Sequence, residues 1–365
     1  SDCDSTKDKY AVKVSLADSD GTAVGTEQTN AAGSFDNLEV GKYKITATLS
    51  DGTTEKKKVE KTINIKNLDD MSAYLFVHFV DTQEDATREQ IYFSVSKDGK
   101  TWTTLNNKQP YLTSNVGTQG VRDPYILRGE DGKFFIIATD LSVYNLKNNW
   151  TAAAQQGSKS IVVWESSDLV NWSEASLVKI NNDNAGCTWA PEACYDPEKD
   201  EYMVFWASVV SDDSYQKYRI YRSYTKDFKT FSAPELYIEE PNAVIDTTII
   251  DHEGTYYRFT KNEAKSSITM QECTSLSGDW KDIANYNLGS MTGYEGPTIY
   301  KLNGKNEWCL LLDYFSKSKG YKPFVTTDIT KGEFTADSDF SFDGTYRHGT
   351  VMPITQAEYE SLTAE

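Results

Sequence analysis

Between Tyr10 and Lys66 apolar and polar residues alternate in short runs, YAVKVSLAD, GSFDNL, GKYKITATLSDG and KTINI, broken by Gly, Asn and Asp turn signals. Alternation with a period of two buries one face of a strand and wets the other, so these runs predict strands joined by tight turns. Residues 1–72 are expected to form a small Ig-like β-sandwich, with Asn67 to Ser72 as a linker. Nothing in the segment is chemically pointed. Asp18, Asp20 and Glu27 read as solvated turn residues, which leaves spacing or substrate docking as its role.

Beyond Ala73 the strands become aromatic and one phrase recurs: SKDGKTW ending at Trp102, SSDLVNW at Trp172, TKDFKTF at Phe231, TSLSGDW at Trp280 and TDITKGEF at Phe334. Each copy predicts an outer strand and its turn, an Asp or Ser closing the turn and an aromatic ring packing back on a neighbour. A second phrase precedes four of these copies: RDPYIL at Asp123, WAPEACYDP at Glu192, IDTTIIDHEG at Asp246 and YEGPTIYKLNG at Glu295. Each sets an acidic residue at the head of a strand. Spacings of roughly 50 to 70 residues suit four-stranded propeller blades of about 40 to 50 residues plus loops. The first outer copy has no acidic head before it, but YRHGTVMPI, with Arg347 and His348, stands at the far end of the chain. A ring whose last blade joins a C-terminal inner strand to N-terminal outer strands explains that offset and leaves no open sheet edge. Residues 73–365 are therefore expected to be an all-β, five-bladed β-propeller, with Asp123, Asp246, Glu295 and His348 converging at one end of its axis.

Composition narrows what such a site would bind. The net charge of −18 over 365 residues repels phosphate backbones and anionic bilayers, so nucleic acid and membrane surfaces are poor partners. Twenty-three Tyr and 8 Trp against 3 His favour flat stacking surfaces over histidine-rich metal chemistry, which suits a neutral polar ligand such as carbohydrate. Five cysteines, Cys3, Cys187, Cys194, Cys273 and Cys309, show no zinc-ligand spacing, and the last four read as buried thiols. The opening SDCDSTKDKY lacks the basic and apolar regions of a signal peptide and reads as a mature or trimmed form. Cys3 followed by acidic and small residues looks like the start of a mature bacterial lipoprotein, so a secreted, periplasmic or cell-surface location is expected. No transmembrane segment is expected either.

Carboxyls gathered in one pocket cannot all ionise freely, so one is raised while another stays charged, which is the requirement for paired acid and base catalysis near neutral pH. Glycoside hydrolysis uses such a pair, and a third carboxylate can tune or orient the acid. The chain has no Ser-His-Asp order, no Gly-rich phosphate loop and no HExxH.

VRDPYI, WAPE, VIDTTI, YEGPTIYK and YRHGTV, in this order and spacing, resemble glycoside hydrolase family 43, the inverting arabinofuranosidase and xylosidase family. The resemblance covers about four fifths of the chain and leaves out residues 1–72. It implies Asp123 as general base, Asp246 as the carboxylate that tunes and orients the acid, and Glu295 as general acid. It implies no required cofactor, and places His348 where many members have an axial histidine near a water or a structural calcium ion. Thr247 and Thr248 depart from the family pattern, which puts substrate contacts there in question.

Each residue has a structural competitor. Asp123 before Pro124 also caps turns, and Trp189 and Glu192 either line the sugar pocket or serve blade packing and a turn. Tyr294 joins them as a candidate sugar contact. Arg122 and Arg347 orient the carboxylates by forked hydrogen bonds or pair with a loop acid, and Asp140 reads as a turn residue at the pocket border. The favoured expectation is a monomeric exo-glycosidase removing terminal α-L-arabinofuranosyl or β-D-xylosyl units from plant polysaccharide or its oligosaccharides. The alternatives are a non-catalytic carbohydrate-binding propeller and a hydrolase of the same fold acting on galactan or arabinan backbones.

Overall fold

A computed structural model describes residues 11–29, 35, 38, 41–51, 53–65, 70–80 and 85–364. Cys3 and most of the GSFDNL run lie outside the described residues. The chain divides into two compact units, Ser1–Leu68 with Tyr195–Glu201, and Asp69–Cys194 with Tyr202–Glu365.

In the first unit the strands Ala11–Asp18, Ala23–Thr29, Gly41–Ser50 and Glu55–Ile65 form one antiparallel sheet, with Ala11–Asp18 and Gly41–Ser50 central. Along Ala11–Asp18 burial does not alternate: Leu16 is buried opposite Ile45, while Val12 on the same face is exposed. Leu16 and Tyr43 are the buried hydrophobic side chains among those described in this sheet. Each fully buried side chain of this kind contributes about 1.5–3 kcal/mol. Two of them are a small core, so hydrogen-bonded ladders make up most of what the described part of this unit shows.

The second unit is a β-propeller of packed antiparallel sheets. Four have four strands and begin with Val121–Arg128, Trp189–Asp196, Val244–His252 and Glu295–Lys301. A further sheet pairs the C-terminal strand Arg347–Thr355 with Met71–Phe79, followed by Tyr92–Ser96 and Thr101–Thr104. Ser341–Phe342 then adds a parallel strand on the outer edge. The two ends of the propeller chain thus share one sheet, in which Met71–Phe79 is paired on both sides and Arg347–Thr355 is the innermost strand.

The core lies between neighbouring sheets. Leu75, Val77 and Phe93 of the closing sheet pack with Val121, Ile136 and Trp164 of the first. Phe135 of the first sheet stacks on Phe228 of the second at 4.5 Å. Phe205 and Ile220 meet Val244 and Ile249; Phe259 and Met270 meet Trp308 and Leu310; Tyr300 and Leu311 meet Phe76 and Trp102.

The recurring outer phrase is a turn with fixed chemistry. Asp98 accepts from the N–H groups of Lys100 and Thr101, Asp168 from Val170 and Asn171, and Asp227 from Lys229 and Thr230. The residue after the Asp is left-handed in all three: Gly99, Leu169 and Phe228. In two copies the buried group is therefore that left-handed residue: Leu169 and Phe228 are fully buried, whereas Trp172 and Phe231 are half-buried. The chain ends in the helix Gln356–Thr363, started by a capping box between Thr355 and Glu358, and Glu358 also pairs with Arg128 at 2.7 Å. Among the described residues no helix is long and apolar enough to cross a membrane.

Candidate active site

Bulges at the heads of four inner strands aim the site residues. The ladder register slips between Arg122 and Tyr125, Ile245 and Thr247, Glu295 and Thr298, and Arg347 and Thr350. At this point Asp123, Ala190, Asp246 and Gly296 have φ of 50°, 47°, 47° and 51°. L-residues pay about 1–2 kcal/mol there, and Asp pays least among residues with a useful carboxyl. At position 296 glycine is required, because a Cβ would lie 2.7 Å from His348 Cγ.

Aligned on the left-handed residue, the motifs read RDP, WAP, IDT and EGP. Only Asp123 and Asp246 share a register; Glu295 stands one position before it and Glu192 two positions after. Reading the four acids as equivalent heads is corrected by this bulge, and Glu192 points from deeper in its strand, 4 % exposed.

Asp123, Asp246 and His348 come together. His348 Nδ1 lies 3.4 Å from Asp123 Oδ1 and 3.9 Å from Asp246 Oδ2. Thr139 donates to Asp123 Oδ2 at 2.9 Å and is itself fixed by the Ala190 N–H at 2.8 Å. Burial pushes Asp123 up, but the His348 contact, the Arg122 charge and Thr139 outweigh it, so its carboxyl is held below the usual range. Burial dominates at Asp246 and raises it to about 6 against the pull of His348 and Lys261, with Glu295 and Asp123 adding to the rise. The same burial disfavours the imidazolium of His348, but Asp246 and Asp123 outweigh it and raise His348 to about 9, a cation at neutral pH.

Glu295 is reached from the neighbouring strand and linked to Asp246 through backbone. Gly296 N–H donates to Asp246 Oδ2 at 3.1 Å, so Asp246 holds the peptide next to Glu295. Lys261 Nζ donates to Glu295 Oε2 at 2.9 Å, and Arg347 Nη2 lies 3.5 Å from Oε1. Arg347 is anchored in turn by Asp313, whose Oδ2 takes its Nε–H at 2.7 Å and the His348 N–H at 3.3 Å. Two ionised-state behaviours thus coexist within one hydrogen-bonded cluster: Asp123 held as carboxylate and Asp246 favouring the proton.

Residues 69–360 match the sequence model of a family described as a probable glycosyl hydrolase domain, related to glycoside hydrolase family 43. The chain belongs to this family 43-related group. An α-L-arabinofuranosidase of Bifidobacterium longum is 30 % identical over 385 residues, covering 92 % of this chain and 35 % of that protein. The chain therefore spans about a third of the length of that relative. Among solved structures, the family 43 protein BlXynB of Bacillus licheniformis is similar at 17 % identity and a TM-score of 0.48, over 78 % of this chain and 55 % of that one. The catalytic domain of a family 62 α-L-arabinofuranosidase from Coprinopsis cinerea is similar at 16 % identity and a TM-score of 0.45, over 63 % and 71 %.

In this family 43-related chain the remaining expected residues divide. Trp189 is half-buried, stacked on Tyr218 at 5.4 Å and edge-on to Trp150 at 6.2 Å, beside the left-handed Ala190 whose N–H supports Thr139. Tyr294 is buried and stacks on Tyr314 at 4.5 Å, with Phe324 edge-on, so its ring is taken up by packing. Arg122 does not fork onto the carboxylates: its Nη1 pairs with buried Glu89 at 3.0 Å while its guanidinium lies over Phe79 and Trp150. Asp140 caps a turn, accepting from the N–H and hydroxyl of Thr118. Thr247 and Thr248 are buried, and the Thr247 and Thr260 hydroxyls lie 3.1 Å apart.

Among the described residues no group of three or more His, Cys, Asp and Glu is disposed to hold a metal ion. A calcium ion needs about six to eight oxygen ligands, and the ring nitrogen of His348 faces Asp123, so the donors around it do not fit that ion.

Sequence reasoning missed Lys261, Asp313 and Glu89. Glu89 is fully buried and also accepts from Ser142 and from the N–H groups of Val143 and Tyr144, which fastens the loop that carries Trp150. Asp313 is fully buried and raised to about 6, burial outweighing Arg347. The detectable signal was a charged residue ending an apolar strand, as in WCLLLD and TYYRFTKN.

Proposed function

We propose that this chain is an inverting, exo-acting glycosidase built on a five-bladed propeller, and that it removes terminal α-L-arabinofuranosyl or β-D-xylosyl units from plant cell-wall polysaccharide or its oligosaccharides. The observation that carries the reading is the division of labour at the strand heads. Asp123 is kept ionised by His348 and Thr139, as a base needs, while Glu295, the most exposed of the three carboxyls, lies at the edge of the cluster. Asp123 takes a proton from water as that water attacks the anomeric carbon from one face. Glu295 delivers a proton to the leaving glycosidic oxygen on the other. Asp246 acts through the Gly296 N–H, fixing the peptide that carries the acid. The pentose preference rests on the named activity of the Bifidobacterium relative. Residues 1–72 are assigned an Ig-like spacer role.

The test is proton NMR of the first-formed sugar from an aryl α-L-arabinofuranoside and an aryl β-D-xyloside, with an aryl β-D-galactoside beside them. Inversion gives β-L-arabinofuranose or α-D-xylose before mutarotation. A first product of retained configuration contradicts the mechanism, and release from the galactoside alone contradicts the substrate.

A further inference from the structure

Lys261 is a buried cation with two carboxylate partners. Its Nζ lies 2.9 Å from Glu295 Oε2 and 2.8 Å from Glu263 Oε2, with the Phe315 ring 4.5 Å away. Cross-strand pairing fixes its place: Lys261 is opposite Ile245, next to the Asp246 bulge, so its side chain reaches across to the head of the following sheet. Both oxygens of Glu295 then face cations, Lys261 on one and Arg347 on the other. A general acid has to carry a proton on one of those oxygens, and an ammonium 2.9 Å away opposes that. Arg347 is tethered to buried Asp313 at 2.7 Å. Lys261 has its alternative in Glu263, whose side chain is 40 % exposed and whose charge is felt by Tyr218, the ring stacked on Trp189. The second partner of Lys261 therefore lies toward the half-buried aromatic pair beside the site.

We propose that Lys261 is a positioning residue that alternates between bridging Glu295 and Glu263, as in this structure, and resting on Glu263 alone, and that its release of Glu295 when a glycoside binds frees Glu295 to hold the proton it donates. The inference rests on the glycosidase reading above. Lys261 stays an ammonium throughout; the proton on Glu295 comes from solvent and leaves on the glycosidic oxygen.

The test compares wild type with Glu263→Gln, Lys261→Met and Lys261→Arg on two aryl pentosides, one with a dinitrophenolate leaving group, which needs no acid, and one with an unactivated phenol. Glu263→Gln lacks the second ionic partner, so its kcat falls at least about tenfold more on the unactivated substrate than on the dinitrophenyl one, within the range ascribed to acid catalysis. Lys261→Met extends the alkaline limb of kcat/KM upward, and Lys261→Arg restores the limb toward wild type. Circular dichroism and thermal melting establish that each variant is folded before its kinetics are read. Equal losses on both leaving groups in folded Glu263→Gln, or an alkaline limb unmoved in folded Lys261→Met, overturn the alternation while leaving the glycosidase reading intact. A wild type inactive on both substrates overturns the reading beneath it as well.

Discussion

At the outer turns Asp98, Asp168, Asp227 and Asp328 lie near solvent and spend their oxygens on backbone N–H groups and neighbouring side chains, and all four are held below the usual carboxylate range. At Asp168 and Asp328 the chief causes are the Asn171 amide and the Thr330 hydroxyl. At Asp98 and Asp227 partial burial pushes upward, and backbone hydrogen bonds from Thr101 and Thr230 outweigh it. On the axis Asp246, Asp313 and Glu192 are buried and shift the other way, to about 6, 6 and 8, because burial outweighs their partners. One residue class thus serves the same repeat twice. Donors near solvent make a turn clamp, and burial that outweighs the available donors makes a proton store.

The comparison breaks most sharply at Asp123, the axial acid that stays ionised. Asp123→Asn removes the proposed base and should lower kcat on aryl pentosides by about a thousandfold, with melting temperature little changed; retention of more than a tenth of wild-type kcat argues against the assignment. Glu192 comes next. Its Oε2 is buried without a hydrogen-bond partner, and the folded carboxyl keeps its proton to about pH 8, whereas the unfolded one loses it near 4.5. The native state binds the extra proton between those limits, so the contribution of Glu192 to stability falls as pH rises through that window by at most about 1.4 kcal/mol per pH unit. Glu192→Gln should not show that fall. Chemical denaturation at pH 5, 6, 7 and 8 checks it: the advantage of the variant should widen at each step, and a constant difference would show that Glu192 does not titrate there.

The smallest effect lies at the outer turns. Asp98→Ala removes the acceptor for Lys100 N–H and Thr101 N–H and should cost about 1 kcal/mol or less, with kcat unchanged. Turnover that drops in step with stability would mean that the outer turns are not independent of the axis.

Much of this organisation was readable in the chain. Turn chemistry such as SKDGKTW and SSDLVNW repeats because the same Asp must meet the same backbone donors, so periodicity exposes it. The acidic heads were readable because an Asp in VIDTTII is costly unless it has a task. The register of Glu192 and Glu295 was not, since a bulge adds one residue without a fixed sequence signature. Lys261, Asp313 and Glu89 were hidden for another reason. Each lies outside the repeated phrases and gains its meaning only from a partner 34, 34 or 33 positions away. The short helix Trp150–Gln155 near Trp189, capped by Asn149, carries too few residues for a periodic signal.

Leaving-group dependence in Glu295→Gln tests the central claim most directly, that the axial cluster separates an acid at Glu295 from a base at Asp123. On an unactivated aryl α-L-arabinofuranoside or β-D-xyloside this variant should lose about a thousandfold in kcat/KM, and on the dinitrophenyl glycoside no more than about tenfold. Asp123→Asn, measured beside it, should lose the same factor on both. Equal losses for Glu295→Gln on the two leaving groups, or a leaving-group-dependent loss in Asp123→Asn instead, would contradict the assignment.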